Sequence, residues 1–178
     1  AARQAEGVGA VHIRPYAPAD HERVRQIFLD WNHHITQPGM ENLFASYIQL
    51  ALDEEIDCIP DYYGRPGFGF WVAEIDGEVA GMVGLEDVGK GAAEVRRMYV
   101  AAEFRRRGLG RKLLRFVEGK ARDMGFERMV LSTSALQPQA KALYEVAGYD
   151  LEREEVSTTQ TKRTAGSGLM RYYFAKDL

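Results

Sequence analysis

Residues 94–114 read Glu94-Val-Arg-Arg-Met-Tyr-Val100-Ala-Ala-Glu-Phe-Arg105-Arg-Arg-Gly108-Leu-Gly110-Arg-Lys-Leu-Leu114. The β-branched and aromatic residues up to Val100 predict a strand. From Gly108 the period changes: Leu109, Leu113, Phe116, Val117, Ala121 and Met124 recur at helical spacing, and Gly125 follows as a C-cap. The segment is therefore strand, loop, two glycines, helix. Its charges sit at the wrong end. Arg105, Arg106 and Arg107 precede the helix and Arg111 and Lys112 occupy its first turn, where the helix dipole disfavours cations. A bound anion would balance them. Unpaired N–H groups at a helix N-terminus, here around Leu109 and Gly110, form an anion site, and glycines let a phosphate approach the backbone. On composition alone a tight turn with solvated arginines stays open. Two better-known phosphate motifs do not apply: G-x-x-x-x-G-K-[ST] is absent, and the dinucleotide fingerprint lacks its third glycine at Leu113.

Outward from this segment the chain alternates short elements. Val11 and Ile13 alternate with His12 and Arg14 before Pro15, which predicts a strand that ends. Val24, Ile27, Phe28 and Trp31 give a helix with one apolar face, and Leu43, Phe44, Tyr47, Ile48 and Leu52 give a second beyond Gln37-Pro38-Gly39. Residues 64–69 are turn-rich. Residues 70–75 and 78–85 flank Asp76-Gly77 as a hairpin. Strand 128–132, a short helix 140–147 and strands 149–156 and 169–174 complete the order β-α-α-β-β-β-α-β-α-β-β. This predicts an α+β class: a mixed, mostly antiparallel, central sheet flanked by helices on both faces. Residues 1–10 read as a disordered tail and 11–178 as a single domain.

Composition narrows the function classes. The 178 residues are 46% hydrophobic and 11% aromatic, enough for a folded core. The formal net charge of −3 gives no reason to expect nucleic acid or an anionic membrane as partner. Cys58 is the single cysteine, so there is no intramolecular disulfide and no Cys-rich zinc site, in keeping with a reducing, cytoplasmic setting. No apolar run approaches the ~20 residues of a spanning helix, and residues 1–9 contain no signal-peptide apolar stretch.

Arg105-x-x-Gly108-x-Gly110 between a strand and a helix resembles the [QR]-x-x-G-x-[GA] acyl-CoA motif of the GCN5-related N-acetyltransferases. Ala140-x-x-Leu143-Tyr144-Glu145-x-x-Gly148-Tyr149 is similar to that family's late helix. Ile13-Arg14-Pro15 resembles its opening strand, and Trp71-Val72-Ala73-Glu74 before Asp76-Gly77 its first hairpin. The likeness spans about residues 11–156, and no single motif decides it. Ser132-Thr133-Ser134 followed by Leu136-Gln137 resembles the camello branch of small N-acetyltransferases, some of which are membrane-inserted; this sequence contains no such segment.

The resemblance implies an acyl-CoA-dependent N-acyltransferase with the family's fold, passing acetyl from acetyl-CoA to a primary amine by direct attack in a ternary complex. It implies that Met98, Tyr99 and Val100 present backbone groups to the pantetheine arm. The phosphates fall to the backbone from Arg105 through Arg106, Arg107, Gly108, Leu109 and Gly110 to Arg111. Gln137 stands where many members carry Asn near the same arm. Tyr144 falls at the position that protonates the leaving thiolate, and Glu94 where several members carry a general base. An alkyl amine of pKa ~10.4 is neutral in only roughly 1 in 2,500 molecules at pH 7, which is why a base is needed. The plainer readings are a core aromatic for Tyr144 and a strand-edge partner of Arg96 for Glu94.

For the acceptor, a small-molecule or peptide amine, the resemblance points to the first two helices and the last hairpin, with Trp31, His33, His34, Tyr62, Tyr63 and Tyr172 as candidates. Adjacent His33-His34 lack a third ligand, so no metal is expected. The acidic run Asp53, Glu54, Glu55, Asp57 and Asp61 reads as a solvated helix end. Many proteins of this fold form homodimers, although nothing in the sequence marks an interface. The competing function is a non-catalytic acyl-CoA sensor or interaction module on the same fold.

Overall fold

The computed structural model describes residues 9–178; most of the expected tail, residues 1–8, lies outside them. The chain runs through β1 (Val11–Pro15), α1 (His21–Ile35), α2 (Glu41–Glu54), α3 (Ile59–Tyr63), β2 (Gly69–Ile75), β3 (Glu78–Gly89), β4 (Ala92–Val100), α4 (Leu109–Asp123), β5 (Arg128–Ser134), α5 (Pro138–Val146), β6 (Asp150–Ser157) and β7 (Leu169–Asp177). All seven strands form one sheet in the order β1-β2-β3-β4-β5-β7-β6. Neighbours are antiparallel except β4 and β5, which are parallel and joined through α4. The expected class and order of elements hold. The short helix α3 is an addition, since Pro60 starts a turn of helix inside what reads as a polar run.

Alternation along the strands assigns each helix to a face. Gly81, opposite Val100 in the β3–β4 register, faces α4; a Cβ there would meet Leu113 Cδ1 at 3.1 Å and Leu109 Cδ2 at 3.3 Å. Trp71 on the same face stacks edge-on against Phe116 of α4. The opposite face carries Phe70 against Tyr63 of α3 and Tyr99 against Phe28 of α1. Leu109, Leu113, Leu114, Val117 and Ala121 bury one side of α4, and Gly125, at φ 88°, turns the chain just past the end of that helix.

Two irregularities in β4 create the space for a site. The first is a bulge. Met82 pairs with Tyr99 and Gly84 with Arg96, so Arg97 and Met98 together oppose Val83. Arg97 adopts φ 49°, a left-handed conformation unusual for a side-chain-bearing residue. The second is a splay. β4 and β5 pair only at Ala92–Arg128, Ala93–Met129 and Glu94–Val130. Beyond Glu94 the strands diverge, and the β5-side edge of β4 up to Val100 has no strand partner.

A buried ionic cluster holds the bulge. Glu55, fully buried just after α2, accepts hydrogen bonds from Arg96 Nη2 at 2.6 Å and from Arg97 Nε. Arg97 also donates to the Tyr47 hydroxyl at 3.0 Å and to the Lys162 carbonyl at 2.6 Å. The expectation of a solvated acidic helix end therefore fails at Glu55. The carboxylate turns inward because two buried guanidiniums need a counter-charge there. Burial alone would raise its pKa; the charges of Arg97 and Arg96 outweigh that and hold it at about 2.

Candidate active site

The diverging strands open two cavities that meet at Met98, Tyr99, Gln137 and Tyr144. The larger, about 510 Å³, runs from the splay to the N-terminus of α4. Gly108 caps that helix at φ 76° without a side-chain cap, and its first turn contains no acidic residue. Left-handed backbone is natural for glycine, and any Cβ at position 108 would be strained by about 1–2 kcal/mol. Gly110 is different: a Cβ there would meet only Leu143 Cδ2, at an ordinary 3.6 Å. Unpaired helix N–H groups, a glycine-lined entrance and an unpartnered strand edge match what a pantetheine pyrophosphate requires.

The larger cavity brings together most of the residues expected to hold the cofactor. Met98, Tyr99, Val100, Arg105, Arg106, Gly108, Leu109, Gly110 and Gln137 all line it. Arg107 and Arg111 do not; both are exposed, and Arg107 lies over the Phe104 ring at 5.6 Å. Arg105 is partly spent on the fold: its Nε donates to the Val100 carbonyl at 3.1 Å and its guanidinium covers the Trp31 ring at 4.7 Å. Arg106 is the more available cation, exposed and at φ 62°.

The smaller cavity, about 100 Å³, lies between β4, β5, β7 and the first two helices. Glu94 lines it and accepts hydrogen bonds from Arg163 Nη1 at 2.8 Å and Arg96 Nη1 at 3.3 Å. Arg163 comes from the β6–β7 connection and also reaches Glu86 at 2.6 Å. Ser132, Ser134, Arg171 and Asn32 complete the polar wall. Tyr144 borders both cavities and is buried; burial pushes its hydroxyl up to about 12.

The expected acceptor residues are not gathered there. Trp31 and His34 line the larger cavity instead, because the last turn of α1 ends over the cofactor side. Tyr62 donates to Glu86 Oε2 at 2.9 Å and faces a third, open depression beside Cys58 and Lys162. Tyr63 is buried in the core. Tyr172 turns to the other face of the sheet, under Lys141 Nζ at 4.4 Å; its neighbour Arg171 faces the small cavity. One residue along a strand reverses the face. The sequence reading missed Arg163 and Arg171. The first lies in a polar loop without periodicity, and the second needed the β5–β7 register.

Comparison with known proteins agrees with this geometry. The family model described as Acetyltransferase (GNAT) family matches residues 15–149. An Escherichia coli protein described as the uncharacterized N-acetyltransferase YjgM is 36% identical over 101 residues, covering 55% of this chain and 60% of that protein. The probable N-acetyltransferase camello of Xenopus tropicalis is 39% identical over 124 residues, 66% of this chain and 57% of that protein. The chain thus spans under two thirds of the length of either relative. Among solved structures, the PaiA N-acetyltransferase of Thermoplasma acidophilum, in complex with coenzyme A, superposes with a TM-score of 0.72 at 16% identity, covering 95% of this chain and 99% of that one. With the family match over residues 15–149, the chain belongs to the GNAT acetyltransferase family.

Proposed function

We propose that the protein is an N-acetyltransferase that takes acetyl-CoA in the larger cavity and a primary amine in the smaller one. The observation that carries this reading is the meeting of the two cavities at Tyr144, beside the open edge of β4. A reader of acyl-CoA would need the first cavity and not the second.

Acetyl-CoA supplies a thioester whose acyl carbon accepts the amine nitrogen. Backbone groups along 98–100 hold the pantetheine arm, and an N–H on that edge donates to the carbonyl oxygen as charge develops on it. The N–H groups of Leu109, Gly110 and Arg111, with Arg106, balance the phosphates. Gln137 borders the arm. Glu94 is the one carboxylate lining the smaller cavity among the described residues, and it takes the amine proton directly or through water. Hydrogen bonds from Arg96 and Arg163 fix its carboxylate at the cavity wall, where it attracts an ammonium.

Tyr144 faces the leaving sulfur. A free thiol titrates near ~8.5, well below the about 12 of this buried phenol. Full transfer of the tyrosine proton is therefore uphill. Its contribution is a hydrogen bond to sulfur as the C–S bond breaks, with the proton following from solvent. Tyr144→Phe is expected to lower kcat by about 10²-fold and to leave acetyl-CoA affinity within about threefold. A wild-type kcat in steady-state assays would remove Tyr144 from the reaction.

Titrating the protein with acetyl-CoA by calorimetry, followed by an amine panel read by thiol release, tests the whole reading. Saturable binding with turnover supports it; binding without turnover on any amine favours the sensor. The single Cys58 fits a cytoplasmic, reducing setting for residues 11–178 acting as one catalytic unit.

A further inference from the structure

Four guanidiniums border the smaller cavity, from Arg96, Arg97, Arg163 and Arg171. Three carboxylates, Glu55, Glu86 and Glu94, answer them. Arg96 lies within 4.0 Å of all three. Arg97 pairs with Glu55, and Arg163 with Glu86 and Glu94. Arg171 is left over. Among the described residues it makes no ion pair, and its Nη2 donates only to the Ser132 hydroxyl at 2.9 Å. Glu155 stands opposite it in the β6–β7 register but turns to Arg153 at 3.3 Å instead.

Two hydroxyls share that wall. In the β5–β7 register Arg171 lies opposite Ser134, and Ser132 and Ser134, two positions apart on β5, face the same side as Arg171 and line the cavity. A half-buried guanidinium without a counter-charge is costly unless a ligand completes it. A carboxylate does so. Glu94 lies on β4, across the splay from this group, and it draws the amine. The cavity is therefore bipolar: a carboxylate at one wall and an unpaired arginine at the other.

We propose that the acceptor is a free amino acid or a side-chain derivative of one, its carboxylate held by Arg171 with the Ser132 and Ser134 hydroxyls and its amine directed to Glu94. The proposal rests on the acetyltransferase reading above and narrows its acceptor. A peptide N-terminus or a protein lysine carries no free α-carboxylate beside its amine, and the roughly 100 Å³ cavity suits a small molecule. Guanidinium–carboxylate pairing is directional and often bidentate, so Arg171 sets orientation as well as affinity.

The test compares free amino acids with their carboxamides and with short peptides as acceptors, using the full chain and saturating acetyl-CoA. The acids are expected to have kcat/KM about 10- to 100-fold above their amides, the size of one charge-assisted hydrogen-bonded pair. Arg171→Gln is expected to collapse that ratio toward one by raising KM for the acids, and Arg171→Lys to restore part of it. Amides or peptides acetylated as well as the acids would overturn the carboxylate assignment and leave the acetyltransferase reading intact. Acetyl-CoA binding with no turnover on acids, amides or peptides would overturn both. If Arg171→Gln proves unstable, Ser132→Ala provides the second variant: an acid-to-amide ratio unchanged from the parent there also counts against the proposal.

Discussion

Glu55→Gln is expected to destabilise the fold by about 3–5 kcal/mol, because it leaves two buried guanidiniums without their main counter-charge. At this chain length that corresponds to a fall in Tm of about 6–20 °C. The variant keeps the shape of the side chain and removes only its charge, so packing loss does not contribute. The same group gives an acid signature. Its pKa is about 2 in the folded protein against an ordinary 4.5. A depressed carboxyl contributes stability that is present above the ordinary value and is lost as pH falls toward the folded one. The protein should therefore lose roughly 3 kcal/mol between pH ~4.5 and ~2 through this residue. Glu55→Gln should lack that component, and the two unfolding curves should converge at low pH. A Tm within 2 °C of the parent would mean water reaches the cluster.

The consequence extends to the site. Glu55 holds Arg97, which occupies the left-handed position of the β4 bulge. The bulge sets the direction of β4 as it leaves β5. Loss of the cluster should weaken acetyl-CoA binding without any change to a residue that would touch it.

Gly110→Glu should separate folding from binding in the opposite way. Position 110 is in the first turn of α4, where an added Cβ meets only Leu143 at 3.6 Å. A carboxylate there favours the helix dipole by ~0.3–1 kcal/mol, so Tm should stay the same or rise. Acetyl-CoA affinity should fall by about 100-fold or more, since two like charges ~4 Å apart at the protein surface repel by about 4 kcal/mol. Calorimetry and thermal unfolding on one preparation read both quantities. Affinity within threefold of the parent would remove the phosphates from the α4 N-terminus.

The sequence by itself determined the secondary structure around the site and the family. Helical periodicity from Leu109, cations at the wrong helix end and the two glycines are local signals, carried by side chains a few residues apart. They located the α4 entrance, and nine of the eleven residues expected to bind the cofactor line one cavity. The same locality explains the misses. Glu55 looks like one acid in an exposed run until β4 is laid beneath it. Arg97 looks like any strand arginine until the register places it with Met98 opposite Val83. Tyr172 and Arg171 differ by one position, and only the pairing of β7 with β5 decides which faces the cavity. The wall of the smaller cavity joins the first two helices, β4, β5, β7 and a loop around residue 163, and its Arg163–Glu94 pair alone spans 69 residues of sequence. Charge balance across such distances is set by the tertiary structure, because no periodicity along the chain encodes which carboxylate meets which arginine.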